Sequence, residues 1–204
     1  MSSAGSILLA AALIGYVLGS IPFGLLVTRI AGAPDPRHAG SRNIGATNVL
    51  RTGGKALAAA TLLFDALKGA AAVLLVQALH PELLAPSLPA MVAGLFAFLG
   101  HLYPVWLRFR GGKGVATMLG VAASLSWQCG LAFAGAWLLA VALTRHSSVG
   151  GMTAAAATPV AAAVIDEPGL TLLFLGMMIV VLWKHRGNVE RLLDGTEPRV
   201  GAGS

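Results

Sequence analysis

The chain has 204 residues, 56% hydrophobic and only 11% charged, with a formal net charge of +6 at pH 7 and a mean hydropathy of +0.79. Long apolar stretches with so few charges exclude a water-soluble globular domain and imply a polytopic α-helical membrane protein. A transmembrane barrel is excluded because the Ala/Leu/Val/Gly runs lack the alternation that barrel strands need. Nucleic acid is excluded as a partner because the cations come singly or in twos and threes beside apolar runs.

Seven apolar segments follow in order: Ser6–Ile30, Ala56–Leu79, Leu88–Leu107, Val115–Ser126, Gln128–Leu143, Gly150–Ile165 and Leu170–Trp183. Several fall below the ~20 residues needed to cross about 30 Å of hydrocarbon. The fourth is shortest, and both a full crossing and a re-entrant segment fit it. The first basic residue is Arg29, so the N-terminus lacks the charged region of a signal peptide and reads as the first span. Gly19-Ser20-Ile21-Pro22-Phe23-Gly24 interrupts that span, because proline removes a backbone donor and bends a helix. In the second segment Asp65 and Lys68 share one helical face, a spacing that suits a structural ion pair and a functional one equally. Cys129, the one cysteine, has no internal partner for a disulfide and reads as core filler.

With the N-terminus outside and seven alternating spans, the inner side collects Arg29, Arg37, Arg42, Arg51, Lys55, Arg108, Arg110, Lys113, Arg145, Lys184, Arg186, Arg191 and Arg199. Lys68 is then the one cation left, inside a span. That distribution satisfies the positive-inside rule, and removing a span would scatter it. The expected fold is all-α: a polytopic integral membrane protein of about seven transmembrane helices, some short, N-terminus outside and C-terminus cytoplasmic. A single domain is expected over 1–204, with a short polar tail after about 193.

The informative polar residues gather on the cytoplasmic side, in four places. The first, Ala39 to Arg51, is dense in Gly, Asn, Ser and Thr; ordinary loop chemistry accounts for these, and so does a phosphorylated ligand. The second, Arg108-Phe109-Arg110-Gly111-Gly112-Lys113-Gly114, precedes a helical stretch. Its glycines, its lysine and the helix N-terminus make a seat for a phosphate dianion. It is no nucleotide-binding P-loop, because Gly114 follows the lysine where Ser or Thr is required. The third, Thr144-Arg145-His146-Ser147-Ser148, also reads as a plain turn. In the fourth, Lys184 to Glu197, a continuous helix would put His185 and Asn188 on one face, able to orient or deprotonate a hydroxyl. An amphipathic exit helix in the headgroups explains the same residues. The dispersed histidines offer no metal-ligand spacing, and no nucleophile elbow appears. His185 and Glu190 form a His-x-x-x-x-Glu, whereas soluble and peripheral glycerolipid acyltransferases use His-x-x-x-x-Asp.

Three ordered motifs resemble those of the bacterial acyl-phosphate:glycerol-3-phosphate acyltransferase family (PlsY-type). They are Gly40-Ser41-x-Asn43-x-Gly45-Ala46-Thr47-Asn48-x-x-Arg51; Gly100-His101-x-x-Pro104 with Phe109-x-Gly111-Gly112-Lys113-Gly114-Val115-Ala116-Thr117; and His185-Arg186-x-Asn188-x-x-Arg191-Leu192-x-x-Gly195-x-Glu197. Ser20-x-Pro22 and Asp65-x-x-Lys68-Gly69 also match, so the likeness runs from about Gly19 to Glu197. Departures are Arg42 where glycine is commoner, Tyr103 for Phe and Val189 for Ile.

The resemblance implies transfer of a fatty acyl group from acyl phosphate to the 1-hydroxyl of glycerol 3-phosphate, giving lysophosphatidic acid and phosphate, the first acylation of bacterial phospholipid synthesis. It implies no cofactor and no metal. It also implies a multi-pass place in the cytoplasmic (inner) membrane with the active site on the cytoplasmic face. Membrane lipid is a surrounding partner, and the soluble enzyme that makes acyl phosphate is a candidate one. Lys113 and the amides of Gly111, Gly112 and Gly114 would hold the acyl-phosphate headgroup, with Thr117 near the helix N-terminus. Ser41, Arg51 and one serine of Ser147/Ser148 would bind phosphate, the spacing from Arg145 favouring Ser148, with Asn43, Thr47 and Asn48 beside them. His185 and Asn188 would orient the acceptor hydroxyl. The base is either His185 or the donor's own phosphate, the second favoured because a histidine among cations accepts protons poorly. A transporter for phosphorylated small molecules would share the cytoplasmic cations, but the nearly empty outer face and the lack of paired halves disfavour it.

Overall fold

In hydrocarbon each backbone polar group must be bonded within its own segment, so the apolar runs have little choice but helix. The computed structural model describes residues 3–38, 42–83 and 86–201, and every regular element among them is helical. The seven apolar segments become α1 (Ser3–Gly19) with α2 (Phe23–Ile30), α4 (Lys55–Leu79), α5 (Leu88–Leu102), α6 (Val115–Leu125), α7 (Trp127–Thr144), α8 (Ser147–Val164) and α9 (Pro168–Lys184). Two short helices join them, α3 (Ala46–Gly53) and α10 (Arg186–Leu193). Among the described residues five segments are long and apolar enough to cross a membrane, and a sixth is reached only if α9 and α10, bent by 53° at their junction, count as one span. The 11 residues of α6 rise only about 16 Å at 1.5 Å per residue, less than the hydrocarbon thickness.

The first span breaks at Ser20–Pro22, as its proline predicts. The carbonyls freed there are met by side chains: Lys68 Nζ donates to Ile21 O at 2.7 Å, and Trp106 Nε1 donates to Ser20 O at 2.6 Å. Lys68 also pairs with Asp65 at 2.7 Å, so one buried ammonium serves both the ion pair and the broken helix.

Small residues bring helices into backbone contact. Gly15 and Gly19 of α1 lie against the backbones of Ala93 and Ala97 on α5, and Gly100 returns the fit against Tyr16. Gly69 of α4 meets Thr117 of α6, while Gly120 of α6 meets the carbonyl of Ala66. Phe98, Met118, Phe133, Phe174 and Met177 fill the interior, and Cys129 is buried among them. Leucines such as Leu13, Leu63, Leu138 and Leu172 face outward, as a lipid-solvated surface requires.

The short polar tail packs back onto the helices. After α10 the chain turns back: Thr196 N and Glu197 N donate to Arg191 O at 2.8 and 3.0 Å, and Val200 N donates to Arg145 O at 2.7 Å. Residues 194–200 thus form a strap across the start of α8.

Candidate active site

Five pieces of the chain converge on one cavity. From the first polar stretch come Asn43, Thr47, Asn48 and Arg51; from the glycine loop, Lys113 and Gly114; from α8, Ser147 and Ser148; from the α9–α10 junction, His185 and Asn188; and from the strap, Glu197. Asp65 and His101 also line it. Ser41 lies outside the described residues.

The first stretch is less a loose loop than a built one. Asn43 Oδ1 accepts from Gly45 N at 2.9 Å, turning the chain into α3. Asn48 is buried, and its Nδ2 donates to Pro36 O at 2.6 Å and Asn43 O at 2.8 Å. Arg42 has φ 54°, a left-handed conformation that glycine adopts at less cost, which explains why glycine is commoner in the resembling motif. From α3, Arg51 extends to the cavity without an acidic partner among the described residues.

The glycine loop differs in detail from its expected role. Gly111 N donates to Leu102 O at 3.1 Å and Gly112 N to His101 O at 3.0 Å. Those two amides therefore finish the end of α5 and are turned from the cavity. Gly114, at φ 86°, starts α6 and leaves the first amides of that helix, with their dipole, at the cavity wall. Thr117 is fully buried against Gly69 and does not line the cavity, and its hydroxyl has no hydrogen-bond partner among the described residues.

The centre is a chain of hydrogen bonds. Lys113 Nζ donates to Asn188 Oδ1. Asn188 Nδ2 donates to Glu197 Oε1 at 2.6 Å, and Ser148 Oγ donates to the same oxygen at 2.7 Å. Arg191 Nε donates to Glu197 Oε2 at 2.8 Å. Glu197 is thus the junction that reading the sequence alone passed over, although it and Arg191 stood in the third motif. Of the two serines, Ser148 makes the contact.

Helix α9 does not run on through His185; the chain bends there, yet His185 and Asn188 both stay buried and face one cavity. His185 Nδ1 lies 2.8 Å from Val181 O. A carbonyl can only accept, so the proton sits on Nδ1 and Nε2 is left as an acceptor. Burial and the nearby Lys113 charge push His185 down to about 4, so it is neutral near pH 7. Burial, reinforced by Arg191, Arg51 and Lys184 against the opposing Glu197, pushes Lys113 down to about 8. Burial would raise Glu197, but hydrogen bonds from Ser148, Asn188 and Arg191 outweigh it and hold the carboxyl below its ordinary range. The site therefore offers a cationic floor, one shared anion, a neutral imidazole acceptor and a helix N-terminus.

A family model described as glycerol-3-phosphate acyltransferase matches residues 9–195. A glycerol-3-phosphate acyltransferase of Mesorhizobium japonicum is 57% identical over 195 residues, 96% of this chain and 97% of the relative. One of Brucella anthropi is 51% identical over 96% of this chain and 94% of its own. Among solved structures, PlsY (YgiH), an integral membrane glycerol 3-phosphate acyltransferase, is 34% identical in its glycerol 3-phosphate form. That likeness has a TM-score of 0.88 and covers 95% of this chain and 96% of that one. Its lysophosphatidic acid form is 32% identical, with a TM-score of 0.84 and 95% coverage of each chain.

Proposed function

The chain belongs to the glycerol-3-phosphate acyltransferase family and is an integral membrane acyltransferase of glycerol 3-phosphate, and from that premise we propose that its donor is an acyl phosphate and that Lys113, Asn188 and His185 carry the transfer. Family membership replaces the transporter alternative.

An acyl phosphate is a mixed anhydride, already activated, so the protein needs neither a thioester nor a nucleophile of its own. Its task is to hold two phosphates close together, offset their charge and aim one hydroxyl at the carbonyl. In the proposed step the 1-hydroxyl oxygen of glycerol 3-phosphate bonds to the acyl carbon. The bond from that carbon to the phosphate oxygen breaks, and the hydroxyl proton leaves with the phosphate. Lys113 and the N-terminus of α6 face the phosphate charge. Arg51 and Ser148 stand on the opposite walls of the cavity, with Asn43, Thr47 and Asn48 shaping its rim; Ser41 belongs to the same set by sequence. Gly111 and Gly112 serve by holding the lysine's loop in place. His185 Nε2 accepts the hydroxyl's hydrogen bond as glycerol 3-phosphate binds and so aims its oxygen; as the new bond forms, the hydroxyl turns its one proton to the departing phosphate. A histidine pushed down to about 4 is a weak base, which favours the departing phosphate as the proton's destination.

The observation that carries this reading is the Lys113–Asn188–Glu197 chain, which ties the phosphate-facing lysine to the hydroxyl-facing junction. Purified protein given glycerol 3-phosphate should form lysophosphatidic acid from palmitoyl phosphate and not from palmitoyl coenzyme A. Product from the thioester alone would overturn the donor assignment.

The site opens on the cytoplasmic face of the bacterial inner membrane in this reading, because the cations cluster there. In a Cys129→Ser background, Arg110→Cys should react with an impermeant maleimide in inside-out vesicles and not in intact spheroplasts. The reverse pattern would invert the topology. The same face suits delivery of acyl phosphate by a soluble enzyme that makes it.

A further inference from the structure

One buried cluster of ionisable side chains takes no part in the reaction outlined above. Asp65 and Lys68 of α4 and His101 of α5 are 2%, 4% and 4% exposed. The Asp65 carboxylate stands 2.7 Å from Lys68 Nζ and 3.5 Å from His101 Nδ1. Lys68 is held a second time by Ile21 O at the break of the first span. Charges at membrane depth are expensive and usually serve a site, and here Asp65 and His101 both line the cavity.

What His101 touches gives the reason. The amides of Gly111 and Gly112 bond to the Leu102 and His101 carbonyls, stitching the loop to the end of α5. Gly112 also sits directly on the imidazole: a methyl group added there would run into Nε2, and one on Gly111 would run into the His101 carbonyl. The next residue is Lys113, whose ammonium reaches Asn188. Packing this close transmits displacement, because a side chain resting on backbone cannot move without moving it.

We infer that Asp65 and His101 are positioning residues: the carboxylate fixes the imidazole, and the imidazole, packed under Gly112, sets the place of Lys113 in the cavity. The inference rests on the role given to Lys113 under the proposed function. It gives the buried cluster one task, that of foundation for the glycine loop, and explains why Gly112 admits no side chain.

The test reads the alkaline limb of kcat/KM for glycerol 3-phosphate, which reports the free enzyme. Lys113 sits at about 8 chiefly through burial. The charged and titratable groups facing it are Arg51 of α3, Lys184 of α9, His185, Arg191 of α10 and Glu197 of the strap, beside Asp65 and His101. His101→Ala removes the foundation and lets the lysine move toward water. The midpoint should then rise by about one pH unit toward the ordinary lysine value near 10.4, and KM should rise more than kcat falls. A midpoint does not depend on how much enzyme is active, so a general loss of folded protein cannot imitate this shift. Asp65→Asn should move the midpoint the same way by less, and the charge-balanced pair Asp65→Asn/Lys68→Met serves where a lone buried ammonium prevents folding. Gly112→Ala, damaging alone, should add nothing to His101→Ala, because the methyl then occupies vacated space. An unmoved midpoint in these variants, with Lys113→Ala inactive, overturns the inference and leaves the role of Lys113 standing. Full activity in Lys113→Ala overturns both.

Discussion

Replacing Asn188 by aspartate hardly alters the shape of the side chain but turns a donor into an acceptor. The native amide has one workable orientation. Lys113 can only donate, so it takes Oδ1, and ionised Glu197 can only accept, so it takes Nδ2 at 2.6 Å. In Asn188→Asp two carboxylate oxygens face each other instead. At an effective dielectric of about 20 and roughly 3 Å their repulsion is about 5 kcal/mol, and the lost charge-assisted hydrogen bond adds about 1.5–3 kcal/mol. Lys113 offsets part of this, and a bound proton relieves most of the rest, since a protonated carboxyl can donate to Glu197 as the amide did. We expect kcat/KM to fall at least about 100-fold near pH 7.5, about 2.7 kcal/mol at 1.36 kcal/mol per decade. The deficit should shrink as pH is lowered toward about 6, because the shared site gains its proton. Asn188→Ala cannot regain a donor, so its deficit should stay level over the same range. The assay is acceptor-dependent phosphate release from palmitoyl phosphate by detergent-purified protein. A pH-independent deficit in Asn188→Asp, or wild-type activity, would refute the orientation assigned to the amide.

Other predictions follow from the same geometry. Lys113 sits at about 8, below its ordinary value, so its charge is lost as pH rises through that value. The rate for glycerol 3-phosphate should decline there in the native enzyme, while Lys113→Arg, always charged, should show no such limb in the same pH series. Ser148→Ala removes a donor to Glu197 and should lower kcat/KM about tenfold, on the order of 1.4 kcal/mol. Ser147→Ala should stay within about twofold, and equal effects in parallel assays would remove Ser148 from its place. Gly120→Val sets a side chain against the carbonyl of Ala66 on α4 and should cost about 1–3 kcal/mol, read as a lowered thermal midpoint in detergent.

Much of this architecture was legible in the residues. Seven apolar runs gave the helices, Pro22 gave the break, and the spacing of Asp65 and Lys68 gave a real pair. Lys113, Asn188 and His185 reach one cavity because their motifs sit at helix ends, where backbone groups and cations gather. What was not legible depends on contacts distant in sequence. Ser148 and Glu197 are 49 residues apart, and no local pattern marks the strap, which is polar and aperiodic. Gly111 and Gly112 read as phosphate ligands because open amides and amides bonded to Leu102 and His101 look alike in sequence. Thr117 read as a site residue through its motif, yet helix geometry turns it toward Gly69. The spacing of His185 and Asn188 does not mark the 53° bend between them and the preceding helix, yet both still face the cavity.

The central claim is that one cavity brings an acyl phosphate and glycerol 3-phosphate together without a covalent acyl-enzyme. The most direct measurement follows inorganic phosphate and lysophosphatidic acid together, in purified protein given palmitoyl phosphate with and without glycerol 3-phosphate, beside Lys113→Ala. The account predicts equal amounts of both products, formed only with the acceptor present and lost in the variant. Phosphate released without acceptor, with acyl groups accumulating on the protein, would contradict it.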